Sequence, residues 1–250
     1  MLQLIRELRD ARTSPKLTEL ANHHRGATLL LEVQEEKPWY ERRSRNTILS
    51  LDAYLRIKRA IDVVVCILIL PVALPILACC AIAIKIDSPG PIFFYQERTG
   101  KGGKRFKVMK LRTMVRNAAE LREQLMHLNE LKPPDFKITN DPRVTRVGKF
   151  LRKTSLDELP QIFNVLKGDM SLVGPRPSSY KASTYDLWHT ARFELKPGIT
   201  GLAQVCGRSE LLLDEKLRYD IAYLRNMSLW LDVQILLRTI PVVLAGKGVK

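Results

Sequence analysis

Apolar and polar positions divide the chain into three unequal stretches. Residues 1–55 are polar and mixed in charge. Their one periodic feature is an amphipathic pattern over 1–12, with Leu2, Ile5 and Leu8 on one side. Residues 63–84 come next, a run of 22 without a charge, bounded by Asp62 and Lys85. Beyond Asp87, apolar positions recur in short periods broken by Gly and Pro.

The uncharged run is long enough to cross a bilayer core: as a straight helix it would measure about 33 Å. It is too long and too far from the start for a signal peptide. Pro71 and Pro75 lie near its middle, and each removes a backbone donor and crowds the preceding turn, so the helix is expected to kink or break there. Both flanks are basic: Arg42, Arg43, Arg45, Arg56, Lys58 and Arg59 precede it, and Lys85, Arg98, Lys101, Lys104, Arg105 and Lys107 lie after it. Positive flanks stay cytoplasmic. A single kinked span would carry one flank across, whereas a re-entrant helix-hairpin keeps both on one face. The charge pattern favours the hairpin over the span, and the span over a buried core helix.

After the run, Asp87-Ser88-Pro89-Gly90-Pro91 is a turn signal. Residues 92–98 and 104–114 read as two extended segments around Gly100-Lys101-Gly102-Gly103, a β-hairpin. Residues 117–131 read as a helix, with Leu121, Leu125, Leu128 and Leu131 on one stripe. A second helix is expected over 155–167, with Leu156, Leu159, Phe163 and Leu166 apolar and Gly168 just past its end. Residues 228–244 carry Trp, Leu, Ile and Val with Asp232 and Arg238 interposed. They suit a core helix and an interfacial one with Trp230 at headgroup level equally well. The fold class is therefore α+β and mainly helical: one re-entrant membrane helix-hairpin, interfacial amphipathic helices and a small cytoplasmic catalytic domain with a short β-hairpin. The divisions fall at 1–55, a polar extension; 56–86, the membrane helix; and 87–250, the catalytic domain.

Charge narrows the partners. Lys and Arg number 41 against 26 Asp and Glu, a formal net charge of +15. Such an excess suits nucleic acid, an acidic lipid surface or a phosphorylated substrate. No nucleic-acid reader motif or interleaved stacking platform appears. Cys66, Cys79, Cys80 and Cys206 lack metal or redox spacing, and the four histidines form no triad or ligand set.

Two segments carry candidate chemistry. In Arg152-Lys153-Thr154-Ser155-Leu156-Asp157-Glu158, the spacing of Ser155 and Glu158 is that of a capping box. The same helix start would also bind phosphate and keep the Asp157 carboxylate ionised, as a nucleophile must be. Adjacent Asp157 and Glu158 point about 100° apart on a helix and so would take different roles. Arg152 and Lys153 are placed to neutralise phosphate charge. A carboxylate attacking a phosphate needs its repulsion screened, and a divalent metal does that. With no complete cage in the sequence, Mg²⁺ held by Asp157, substrate phosphates and water is expected. Farther on, Gly174-Pro175-Arg176-Pro177 would fix where the Arg176 fork can reach. Taken alone, each segment is more simply a helix cap or an ordinary turn.

Taken together and in order, the pieces resemble the monotopic phosphoglycosyl transferases, the bacterial sugar-transferase family that starts many glycan pathways. The matching stretches are Lys58-Arg59-Ala60-Ile61-Asp62, Asp87 to Phe94, Gln96-Glu97-Arg98, Phe106 to Met114, Asp141 to Pro177, Lys196 to Gln204 and Ser228 to Asp232. The resemblance implies a small form with a single membrane hairpin, on the cytoplasmic face of the bacterial inner membrane. It implies transfer of a sugar-1-phosphate from a UDP-sugar to polyprenyl (undecaprenyl) phosphate, an early step of exopolysaccharide, O-antigen or capsule synthesis. Asp157 matches the family's nucleophile, which forms a phosphosugar-aspartyl intermediate as UMP leaves. Glu158 matches the adjacent Glu, linked to metal binding or activation of the lipid phosphate. Arg152 and Arg176 match phosphate-binding basic residues, and Pro75 the proline at the membrane-helix break. Leu74 stands where the family often has Ser, and Cys206 where Asn is common. Expected partners are the UDP-sugar, the polyprenyl phosphate and membrane lipids, with a homodimer left open and nucleic acid not expected.

Overall fold

A computed structural model describes residues 38–40, 50–130, 136, 138–185, 187–207, 211 and 213–245. The amphipathic pattern at 1–12 lies outside the described residues. Those from Trp39 on belong to one compact unit.

The apolar run is the centre of a much longer helix, α1 (Leu51–Asp87), which is assigned as helix through both Pro71 and Pro75. Ser50 caps its start by accepting from the Ala53 amide. Among the described residues it is the one helix long and apolar enough to cross a membrane. Most of its central apolar side chains are exposed, Leu68 at 70% and Val72 at 65%, so this helix is not buried as a core helix would be. It marks the chain as membrane-associated.

The predicted hairpin forms as β1 (Phe93–Thr99) and β2 (Arg105–Leu111), antiparallel, with Phe94 opposite Lys110 and Arg98 opposite Phe106. A 3₁₀ turn at Lys101–Gly103 joins them, with Gly102 at φ 65° and Gly103 at φ 72°. The helix expected over 117–131 is reduced to α2 (Leu121–Gln124) and a 3₁₀ turn at Met126–Leu128. Leu121 and Leu125 are only half-buried and Leu128 is exposed, so packing does little to propagate a short helix here.

Then come α3 (Arg146–Thr154), α4 (Gln161–Lys167), β3 (Ser171–Val173), β4 (Gly198–Thr200), α5 (Leu202–Cys206), α6 (Leu213–Asn226) and α7 (Leu229–Leu244). Strands β3 and β4 pair in parallel, Ser171 with Gly198 and Val173 with Thr200. Backbones crowd there: a Cβ on Gly198 would lie 2.1 Å from the Gly174 nitrogen. All four cysteines are free.

The stretch Lys58-Arg59-Ala60-Ile61-Asp62 fastens α1 to this body. Lys58 Nζ lies 2.8 Å from Asp232 Oδ2 on α7. Tyr54 and Tyr223 hydroxyls donate to the same carboxylate at 3.0 and 2.6 Å. Arg59 donates to the Val165 and Leu166 carbonyls at the end of α4, at 2.5 and 2.8 Å. Asp62 accepts from Ser171 Oγ at 2.7 Å and from the Leu172 amide at 3.2 Å. At the other end of α1, Asp87 accepts from the Val147 amide in the first turn of α3 at 3.0 Å. Arg112 then closes the turn after α1, donating to the Ser88 and Pro89 carbonyls.

Candidate active site

Asp157 and Glu158 do not begin a regular helix. Ser155 takes the left-handed conformation, φ 58°, and ends α3 with its amide bonded to the Arg152 carbonyl. Leu156–Glu158 is a 3₁₀ turn without a side-chain cap, and α4 starts only after Pro160. The capping box and the helix start at 155 are thus corrected. Ser155 is left-handed where a capping residue would be extended, so its hydroxyl makes no cap bond to the Glu158 amide, which bonds the Ser155 carbonyl instead, at 3.2 Å.

The turn carries both carboxylates to the ribbon face of β2. Lys110 Nζ donates to Glu158 Oε1 at 2.7 Å and lies 3.9 Å from Asp157 Oδ2. Arg176 Nη2 donates to the same Glu158 oxygen at 3.0 Å. Burial alone would raise the Glu158 carboxyl, but Arg176 and Lys110 outweigh it and hold the group well below the carboxylate range. Asp157 is shifted the other way: burial, with Glu158 adding to it, raises its carboxyl above the ordinary value, while Lys110, Arg152 and Arg176 pull it back. Arg152 is set by a bond from its Nε to Thr113 Oγ1, 3.0 Å.

The position of each cation is built in. The Asn164 side chain on α4 pairs with β2 twice, accepting from the Met109 amide at 2.9 Å and donating to the Lys107 carbonyl at 2.8 Å. That docks the strand bearing Lys110 against the turn bearing Asp157. Arg176 comes after β3, where the Gly198 amide bonds the Pro175 carbonyl at 2.9 Å. Arg192 Nη2 donates to the Arg176 carbonyl at 2.5 Å and lies 2.8 Å from Asp220 Oδ2. Burial pushes the Asp220 carboxyl up to about 6, against Arg192 and the Arg176 amide.

Asp157, Glu158, Arg152 and Arg176 therefore meet in one place. Lys153 lies exposed in the last turn of α3, and no ion pair or hydrogen bond ties it to the carboxylates among the described residues. Pro71 and Pro75 lie within α1. Lys110, Arg192 and Asp220 are not singled out by the sequence. Lys110 has a readable signal, its alternation on β2, but Arg192 and Asp220 act on a backbone and leave no pattern.

Among the described residues no three of His, Cys, Asp and Glu cluster as a metal cage. Glu158 is taken by two cations. Asp157 has its nearest cation at 3.9 Å, beyond hydrogen-bond range, so its oxygens have room for one hard divalent ion completed by substrate phosphates and water.

Residues 53–246 match the family described as bacterial sugar transferase. The chain is 44% identical over 197 residues to the undecaprenyl-phosphate galactose phosphotransferase of Salmonella typhimurium, covering 77% of this chain and 41% of that protein. It is 42% identical over 201 residues to the UDP-galactose-lipid carrier transferase of Erwinia amylovora, covering 77% of this chain and 41% of the relative. It is 43% identical over 197 residues to the UDP-glucose:undecaprenyl-phosphate glucose-1-phosphate transferase of Caulobacter vibrioides, covering 74% and 68%. With the match running from the start of α1 to the end of α7 and holding every cation around Asp157, the chain belongs to the bacterial sugar transferase family.

Proposed function

We propose that the protein transfers a sugar-1-phosphate from a UDP-sugar to undecaprenyl phosphate, with Asp157 as nucleophile. The observation that carries this reading is the unequal pair: Glu158 saturated by Lys110 and Arg176, and Asp157 beside it without a hydrogen-bonded cation. An Asp157 oxygen attacks the sugar-bearing phosphorus. The bond from that phosphorus to the bridging oxygen breaks, and UMP leaves with the electron pair. An oxygen of the lipid phosphate then attacks the same phosphorus, releasing the Asp157 carboxylate and giving the polyprenyl-diphosphate sugar. Arg152 and Arg176 neutralise the phosphoryl oxygens, and Lys110 holds Glu158 ionised and aligned. Mg²⁺ bound at Asp157 would screen the approach of the carboxylate to the phosphate.

The ties at the two ends of α1 support a membrane placement. Arg59 and Asp87, 28 residues apart, would stand about 42 Å apart on a straight helix. Both bond the one segment from Val147 to Leu166, which at the α-helical rise would span about 30 Å before side-chain reach is added, so a bent α1 suits these ties better than a straight one. A bend at Pro71 and Pro75 would bring both ends to one face, and buried Ala73 between exposed Val72 and Leu74 suits the inside of such a bend. Such a hairpin makes the enzyme monotopic on the cytoplasmic face of the inner membrane. Helix α7 suits the interface plane: Trp230, Val233, Leu237 and Ile240 are exposed on one side, while Leu231 and Ile235 are buried on the other.

The relatives act on different sugars by name, galactose and glucose, so the donor is settled by assay. The test is UMP release from a panel of UDP-sugars with Mg²⁺ and undecaprenyl phosphate, comparing wild type with Asp157→Asn. Release that needs Mg²⁺ and vanishes in the variant is expected. An Asp157→Asn protein as active as wild type would remove Asp157 as nucleophile.

A further inference from the structure

At the turn end of the β1–β2 ribbon, two guanidinium groups converge. Arg98 Nη1 donates to Ser179 Oγ, and Arg105 Nη1 lies 3.3 Å from the Ser179 carbonyl. Both are anchored as well as converging. Arg98 Nη2 bonds Gln96 Oε1 at 2.6 Å, and Arg105 Nη1 bonds Thr99 Oγ1 at 2.9 Å. The ribbon end is pinned to the segment after Arg176 by the Thr99 amide to the Ser178 carbonyl, 2.9 Å, and by Thr99 Oγ1 to the Tyr180 carbonyl, 2.6 Å.

Little negative charge answers these two cations. Among the described residues the ion pair of Arg105 is with Glu97, at 3.6 Å and largely exposed, and none is made by Arg98. Burial, Arg176 and Arg105 lower the Arg98 guanidinium to about 10, with Glu158 acting against them. Arg98 thus stands electrostatically between the carboxylate site and Arg105. Like charges held together by fixed hydrogen bonds are arranged for an anion.

We infer that Arg98 and Arg105 bind the donor phosphate that leaves with the nucleoside. The inference rests on the transferase reading above and names a part of that same site. In the first step, charge develops on the oxygen bridging the two donor phosphates. In the reading above Arg152 and Arg176 serve the transferred phosphoryl group and Lys110 is engaged by Glu158, so the leaving phosphate needs its own cations. The surroundings match a nucleotide better than a lipid. Ser179, Thr99, Gln96 and the Tyr180 carbonyl are polar, whereas the opposite end of the ribbon exposes Phe94 and Tyr95.

The experiment measures binding of UMP and of uridine to the full chain in detergent micelles by calorimetry, alongside the KM for undecaprenyl phosphate. Arg98→Gln and Arg105→Gln are each expected to weaken UMP about 10- to 100-fold, the loss of a charge-assisted fork. Uridine affinity and the acceptor KM stay within about twofold, the spread of a change with no direct contact. Arg105→Lys, which keeps the charge and the fold but loses the fork, falls between wild type and Arg105→Gln. Unchanged UMP affinity with a raised acceptor KM would overturn the assignment and give the pair to the lipid phosphate. Equal weakening of UMP and uridine, with a lowered melting temperature, would overturn it by making the pair a structural staple. A wild type that neither binds nor releases UMP would overturn the transferase reading itself.

Discussion

Lys110 Nζ sits 2.7 Å from Glu158 and 3.9 Å from Asp157, one ammonium serving two neighbouring carboxylates unequally. It comes from β2, while both acids come from the turn between α3 and α4, so the active geometry depends on how that ribbon docks. In the proposed reaction the inequality has a chemical use. The acid that Lys110 holds closely is kept ionised and fixed. The one it holds loosely remains able to form a new bond.

Lys110→Met should therefore cost more than one ion pair. Glu158 loses a partner while half-buried, and Asp157 loses the largest influence that lowers its carboxyl. Turnover is expected to fall about 100-fold or more, in the range of losing a preorganised charged group. The KM for the UDP-sugar should move far less, because Arg152 and Arg176 remain. Steady-state kinetics that show KM rising with kcat unchanged would mean that Lys110 serves substrate binding instead.

The pH profile carries the same logic with a definite sign. In the proposed reaction Asp157 must be ionised to attack, and burial raises its carboxyl above the ordinary value. Activity should fall on the acid side at a pH above that of a free aspartate, since protonation removes the nucleophile. Lys110 lowers this group, so Lys110→Gln should shift the acid limb of kcat/KM to higher pH. A limb that stays put in the variant would assign the titration to another group.

The legible parts of this protein are those with local causes. The uncharged run before Lys85 and the glycines between Thr99 and Lys104 both announce their elements. The turn at Asp157 departs from the expected helix because Ser155 at φ 58° separates α3 from the 3₁₀ turn, and no spacing rule reports a backbone handedness. Strands β3 and β4 have three residues each and pair across more than twenty intervening positions, so neither leaves a period. Asp157, Glu158, Arg152 and Arg176 can be named from order alone. Alternation on β2 sets the face on which Lys110 lies, but its meeting with Asp157 needs the docking of β2 through Asn164, which only the fold supplies.

Arg192 and Asp220 hold Arg176 by its main chain, so their effect should reach the reaction indirectly. Arg192→Lys keeps the charge but loses the planar guanidinium whose Nη2 reaches both the Arg176 carbonyl and Asp220. A fall of about tenfold in kcat is expected, the usual consequence of a slightly misplaced catalytic group. The conservative variant Asp220→Asn, which keeps a carbonyl oxygen beside Arg192 Nη2, should keep most of the activity. If Arg192→Lys melted well below wild type with kcat unchanged, the pair would be structural only.

The junction between α1 and the body offers the sharpest stability test. Asp232 is buried and raised by that burial, with Lys58 and the hydroxyls of Tyr223 and Tyr54 opposing. Lys58→Met leaves the carboxylate inside without its cation, at a cost of about 3–5 kcal/mol. The variant can relieve this by protonating Asp232, so its folded-state carboxyl rises further. A carboxyl raised on folding contributes stability at low pH, and that stability is lost as pH rises through the folded value. The deficit of Lys58→Met should thus be smaller at acidic than at alkaline pH, and adding Asp232→Asn should shrink it at alkaline pH. Thermal melts in detergent at the two pH values read both effects. A deficit that is the same at both, and unchanged by the second substitution, would mean that the lysine contributes packing rather than charge.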